Sequence, residues 1–152
     1  MHKNLRPLTL IVGVKDHLEV VNLLRSVDEN IEVIVILNLA PSFIKTVIKN
    51  LRFDNFTLKI IEIPISSLGQ IKNTGIKYAT NNNVFFLDAD CVLKKGTLDN
   101  IINFLDDKEI GKANVIIQTK NWLSSILAKN RIPNRKNSAY TPGLFFKKTI
   151  VN

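Results

Sequence analysis

The sharpest chemical signal in this sequence is Asp88-Ala89-Asp90, two carboxylates one residue apart at the end of the apolar run Val84–Leu87. Hard divalent ions such as Mg²⁺ and Mn²⁺ prefer oxygen ligands, and they commonly take one or two carboxylates together with substrate phosphates. A metal held there could bridge a diphosphate and neutralise the charge that develops as it leaves. Acidic residues also cap turns and helices, so the pair alone leaves both readings open. In an open parallel sheet, ligands bind beyond the carboxyl ends of the strands. That rule adds Val14-Lys15-Asp16, Asn38 and the segment after Pro64 to the candidate site.

Other chemistries find no support. The sequence contains no G-x-x-x-x-G-K-[ST] phosphate loop, and its first strand-to-helix turn, Gly13-Val14-Lys15-Asp16, is not the dinucleotide G-x-G-x-x-G. Two His and one Cys do not make a zinc constellation. His17 reads as a surface residue in a first helical turn, and Cys91 as a small buried thiol.

The elements that position these residues alternate between β-branched runs and amphipathic stretches, the pattern of βαβ units around a mostly parallel sheet. Strands are expected over 7–14, 31–37, 57–63, 84–87 and 113–119. The helix after the first strand is expected to start at Asp16 as N-cap with Glu19 completing a capping box. Further helices follow Ser42, Ser67 and Thr97, with apolar stripes such as Ile44, Val47, Ile48 and Leu51. A helix over 121–130, carrying Trp122, Leu123, Ile126 and Leu127, precedes a polar basic loop that leads to AYTPGLFFKKTIV.

With 152 residues, 45% of them hydrophobic and 22% charged, the chain fits one globular domain. The net charge of +8 is unevenly placed. Residues 1–109 hold 13 basic and 13 acidic side chains, whereas 110–152 hold 8 basic and no acidic ones. Such a block suits phosphates, an anionic membrane or nucleic acid, or is a solvated tail. Nucleic acid is not expected, because no aromatic residues interleave with the basic run in a stacking pattern. The opening Met-His-Lys-Asn-Leu-Arg-Pro lacks the apolar core of a signal peptide, and no apolar run approaches the roughly 20 residues of a membrane span. A cytoplasmic location is the expectation.

Three segments together resemble a family 2 glycosyltransferase. IVGVKDHLEVVNLLRSV is similar to that family's opening strand, turn and helix. SSLGQIKNTGIKYA resembles its G-x-x-(Arg/Lys)-N-x-G-I-x-x-A helix, and NVFFLDADCVLKKGTLDNII its metal-binding D-x-D strand. The resemblance covers about residues 7–106. It implies a Rossmann-like GT-A fold, an α/β architecture with a mostly parallel central sheet and helices on both faces. It also implies a nucleotide-sugar donor, most often a uridine diphosphate sugar, a Mn²⁺ or Mg²⁺ cofactor, and transfer with inversion to a glycan or lipid-linked acceptor.

Carried over by residue, the resemblance makes Asp90 a direct metal ligand and sets Asp88 at the donor ribose or the metal shell, with Ala89 between them. Lys72 and Asn73 follow near the base and diphosphate, and Val14 and Lys15 border the base. Asn38 stands where the family usually has an acid. The family's general base is a carboxylate in the later half, and no acid lies beyond Glu109, so no catalytic base is assigned. The expected organisation is one GT-A domain over 1–152, with a donor-binding part at about 7–119 and an incomplete, basic acceptor-side part at about 120–152. The missing base suggests a fragment, a piece of a split gene, or a short enzyme that recruits its base. It also keeps open a non-catalytic sugar-nucleotide-binding or scaffold role. The basic end with its apolar helix is compatible with peripheral contact at the inner face of a membrane.

Overall fold

A computed structural model describes residues 5–116 and 142–151. The chain runs β1 (Thr9–Val14), α1 (Val20–Arg25), β2 (Glu32–Asn38), α2 (Ser42–Asn50), β3 (Thr57–Ile63), α3 (Leu68–Tyr78), β4 (Asn83–Asp88), α4 (Thr97–Asp107), β5 (Ile110–Lys112) and β6 (Leu144–Lys147), then a short 3₁₀ turn, Lys148–Ile150. One sheet takes the strands in the order β3-β2-β1-β4-β6-β5. The pairs β1–β2, β1–β4 and β2–β3 are parallel, while β6 runs antiparallel to both β4 and β5. This is the expected α/β fold with a mostly parallel sheet and helices on both faces.

The strands alternate their side chains between two cores, as the period of two demands. Leu10, Val12, Val33, Val35, Phe85 and Leu87 pack on one face against α1, α2 and α4. Ile11, Ile34, Ile36, Val84 and Phe86 pack on the other, with Ile71 and Ala79. Because both faces are covered, β1, β2 and β4 read as continuous apolar runs rather than alternating ones. Each large aliphatic side chain sealed this way contributes about 1.5–3 kcal/mol.

At the amino-terminal pole of the strands, the buried carboxylate of Glu32 accepts hydrogen bonds from the Thr9 hydroxyl at 2.6 Å, the Thr80 amide at 2.9 Å and the Thr80 hydroxyl at 3.1 Å. A buried charge persists only when paired or hydrogen-bonded, and this one ties β1, β2 and the turn before β4 together. At the sheet edge, Lys45 and Lys49 of α2 hold Glu62 of β3 at 2.8 and 2.5 Å and lower its pKa to about 2.

Three expectations shift. Helix α1 begins at Val20, not after Asp16, and Glu19 sits at its N-cap without a side-chain cap bond. The carboxylates of Asp16 and Glu19 lie instead 3.6 and 3.7 Å from the ring nitrogens of His17. Ser42 and Thr97 are the first helical residues rather than caps, behind Pro41 and a left-handed Gly96. By contrast, Ser67 forms a full capping box with Gln70. A short strand lies at 110–112, where Gly111 packs against the ring of Phe145 in register with β6, while residues 117–119 of the strand expected over 113–119 lie outside the described residues. Residues 113–116 have no regular structure, and the expected helix at 121–130 lies outside the described residues.

Gly75 lets α3 close on β1, since a Cβ there would run into the side chain of buried Ile11. Gly75→Ala should therefore cost about 1–3 kcal/mol through overpacking. In the same helix a methyl group at Gly69 would meet nothing closer than the Ser67 hydroxyl at 4.0 Å, and Gly69→Ala should be neutral or stabilising by about 0.5 kcal/mol. Urea midpoints of the two variants check the opposite signs.

Candidate functional site

Strands β1, β2 and β4 end side by side. Gly13 pairs with Asp88 and Val14 with Leu37, so the sheet brings the residues after Val14, Leu37 and Leu87 to one level. The amino terminus of α3 closes the gap. The result is a cavity of about 400 Å³ lined by Ile11, Gly13, Val14, Lys15, His17, Asn38, Ser66, Leu68, Ile71, Lys72, Phe86, Leu87 and Asp88. A second cavity of about 290 Å³, between α2 and β3, has aliphatic and aromatic walls with Lys49 and Arg52 but no acid.

Of the residues singled out in the sequence, Val14, Lys15, Asn38, Lys72 and Asp88 meet in the larger cavity. Ala89 is buried beside Asp88, and Asp90 follows it, exposed, in the turn closed by the Cys91 amide on the Asp88 carbonyl at 3.1 Å. Asn73 is exposed on α3 and does not line the cavity. The side-chain amide of Asn38 is buried and engaged with the backbone of Ser66. Lys72 reaches back over the Phe86 ring, 5.9 Å from its centroid.

Ser66 and Leu68 line the cavity from the segment after Pro64 that the strand-end rule selects, and His17, Ile71 and Phe86 line it too. His17 stands one residue beyond the Val14-Lys15-Asp16 that the same rule selects. Ile71 and Phe86 reach the cavity from α3 and β4, and no local pattern marks them as site residues.

The electrostatics centre on Asp88. Its carboxyl is half-buried and its pKa is raised, first by that burial and second by the charge of Asp90, with Lys72 and His17 pulling the other way. Burial also pushes the neighbouring Cys91 thiol up to about 11, so it is not an activated nucleophile. Two neighbouring carboxylates, one losing its hydration, are an unfavourable pair that a cation relieves. No cluster of three or more His, Cys, Asp or Glu forms among the described residues. The two carboxylates at the end of β4 are oxygen donors of the kind that Mg²⁺ and Mn²⁺ take together with water and phosphate oxygens.

The mostly parallel α/β sheet with helices on both faces is the arrangement of the GT-A fold. Residues 12–149 match the sequence model of the family described as "Glycosyltransferase like family 2", and the chain belongs to that family. None of the curated proteins matches it.

Among solved structures, it is similar to the S. aureus TarS 1–349 fragment, with a TM-score of 0.68 and 18% identity over 95% of this chain and 48% of that one. The same fragment in complex with UDP-GlcNAc gives a TM-score of 0.67 and 17% identity over 95% and 46%. The mannosyltransferase PcManGT from Pyrobaculum calidifontis, in complex with GDP-Man and Mn²⁺, gives 0.72 and 18% over 98% and 46%. At these identities the likeness establishes the fold. The chain spans about half the length of these structures or less. Among the described residues, no helix is long and apolar enough to cross a membrane.

The raised pKa of Asp88 makes a prediction about stability. Its ionised form is disfavoured in the fold, so at pH values above the folded pKa it costs stability, and below the ordinary value of 3.8 both states are protonated and the cost vanishes. Asp88→Asn should therefore raise the melting temperature of the metal-free protein at pH 7, by on the order of 1–3 °C once solvent screening is allowed for. The gain should fade as the pH falls towards 4. Differential scanning calorimetry across pH checks both the sign and the window.

Proposed function

We propose that this chain is the donor-binding part of a metal-dependent, inverting glycosyltransferase that takes a nucleotide-diphosphate sugar, in the first instance a uridine diphosphate sugar. The observation that carries the proposal is the convergence of the half-buried Asp88 with Lys15 and Lys72 in one cavity at the strand ends. The GT-A neighbours holding UDP-GlcNAc, or GDP-Man with Mn²⁺, support it.

In this reading Asp90, exposed beside the cavity, holds a Mn²⁺ or Mg²⁺ ion, with Asp88 in its shell. When bound, the ion supplies Lewis-acid stabilisation of the departing diphosphate. Lys72 and Lys15 supply fixed positive charge to the same phosphates, and the apolar wall of Val14, Leu68 and Ile71 excludes water from the nucleoside. Asn73, on the same helix as Lys72, belongs to the family pattern and is assigned a supporting part at the helix surface. The donor-binding part covers about residues 7–119, and the basic stretch at about 120–152 meets a glycan or lipid-linked acceptor, with peripheral contact at the inner face of a membrane.

Inverting transfer needs a base for the acceptor hydroxyl. Residues 110–152 contain no carboxylate, so the base is supplied from outside this stretch. The same observation favours a second reading, a non-catalytic sugar-nucleotide-binding protein. Donor hydrolysis or sugar transfer by the isolated chain would eliminate it.

Calorimetric titration of uridine diphosphate, with and without Mn²⁺, tests the donor site. Binding should require the metal and weaken by about tenfold or more in Asp90→Ala, the loss of a charge-assisted ligand. Metal-independent binding, or an Asp90→Ala variant that binds as wild type, would contradict the assignment.

A further inference from the structure

The cavity at the strand ends has one acid in its wall, Asp88, and its opposite wall is held by a different device. Asn38 ends β2 and is 7% exposed. Its side-chain Nδ2 donates to the Ser66 carbonyl at 3.1 Å, and its Oδ1 accepts from the Ser66 amide at 2.8 Å. The two bonds imitate a rung of a β-ladder with a side chain in place of a strand. They continue the β2–β3 pairing beyond its last register pair, Asn38 with Ile63, where the Leu39 amide also donates to the Ile63 carbonyl at 3.2 Å.

Two consequences follow from this clasp. The connection from β3 to α3 is fixed at the end of β2, immediately before the Ser67 cap, and this sets where Leu68, Ile71 and Lys72 stand in the cavity wall. The backbone is also under constraint there. Leu39 has φ +51°, a left-handed conformation rare for a bulky side chain, and its side chain is turned outward, 61% exposed. An aspartate in place of Asn38 could accept from the Ser66 amide but could not donate to its carbonyl, so only the amide makes both bonds.

Asn38 and Asp88 stand on strands either side of β1, two strand spacings or about 10 Å apart. That is on the order of the reach of a nucleoside diphosphate from its phosphates to its base. On the donor reading above, a diphosphate anchored at Asp88 sends its base to the Asn38–Ser66 wall. The N3–H of uracil and the N1–H of guanine are both donors, so an acceptor at this wall serves either base and does not separate the two. Each atom of the Asn38 amide gives one of its two hydrogen-bonding positions to Ser66, which fixes the amide's orientation in the wall. The surrounding wall is aliphatic, from Val14, Leu68 and Ile71, with Lys15 and His17 as the polar groups. Apolar walls separate ligands far less sharply than sites built on a dedicated hydrogen bond.

We infer that Asn38 is a positioning residue whose clasp on Ser66 builds the base-side wall of the cavity, and that this wall accepts both pyrimidine and purine nucleoside diphosphates. The inference rests on the donor reading, so its test separates the two.

Uridine and guanosine diphosphates are titrated calorimetrically in the presence of Mn²⁺ into wild type and Asn38→Ala. Hydrogen exchange at the Ser66 amide is read on the ligand-free chains. Wild type should bind the two nucleotides within about tenfold of each other. Asn38→Ala should weaken both by a similar factor of about tenfold, keep their ratio, and speed exchange at Ser66. A wild-type preference of about 100-fold or more overturns the inference, and its disappearance in Asn38→Ala would make Asn38 a base reader instead. Unchanged Ser66 exchange in Asn38→Ala overturns the clasp. If a wild type with a protected Ser66 amide binds neither nucleotide, the donor reading fails, and base tolerance fails with it.

Discussion

The structure depends on β1 being held on both edges and sealed on both faces. Parallel pairing to β2 and to β4 sets the levels at which three strands end, and the two cores on either side of β1 leave it no freedom to slip. A shift of one residue would turn Ile11 and Val12 to the wrong faces and carry Lys15 away from Asp88. The cavity is thus a consequence of register. Glu32 secures the opposite pole, where Thr9 and Thr80 answer its buried charge with three hydrogen bonds.

The two ends of the sheet treat carboxylates in opposite ways. Glu32 is satisfied by neutral donors and serves stability. Asp88 is pressed between partial burial and the charge of Asp90, with Lys72 and His17 opposing the shift. An unfavourable carboxylate pair that folding tolerates at a strand end is an arrangement suited to a cation and its phosphate ligands. Functional sites commonly hold such tension because the surrounding fold can carry it.

Much of this was legible in the sequence. The buried strands were visible because a strand covered on both faces must be apolar along its covered length, as 33–37 and 84–87 are. The Ser67 helix was visible because a capping box is a local device, needing only Gln70 three residues on. What escaped depended on distant partners. The short strand at Ile110–Lys112 is placed by Phe145, more than thirty residues later, so the apolar stretch at 113–119 looked like the better strand. Helix α1 was set too early because Asp16 and Glu19 carry a capping pattern that the chain does not use, the helix starting only at Val20. In the cavity, the strand-end residues Val14, Lys15, Asn38 and Asp88 followed from topology, as did Ser66 and Leu68 in the segment after Pro64, whereas Ile71 and Phe86 arrive by tertiary packing. The commitment of Asn38 to Ser66 could not be read from either residue alone.

The central claim is that the strand ends of β1, β2 and β4, and not the cavity between α2 and β3, receive a metal-bound nucleotide. Paramagnetic relaxation in ¹⁵N-labelled protein tests it most directly, with Mn²⁺ and uridine diphosphate added together. The account predicts that amide signals of Val14–His17 and Asp88–Cys91 broaden first, while those of Lys49–Phe56 stay sharp. Broadening centred on Lys49–Phe56, or spread evenly over the surface, would contradict it.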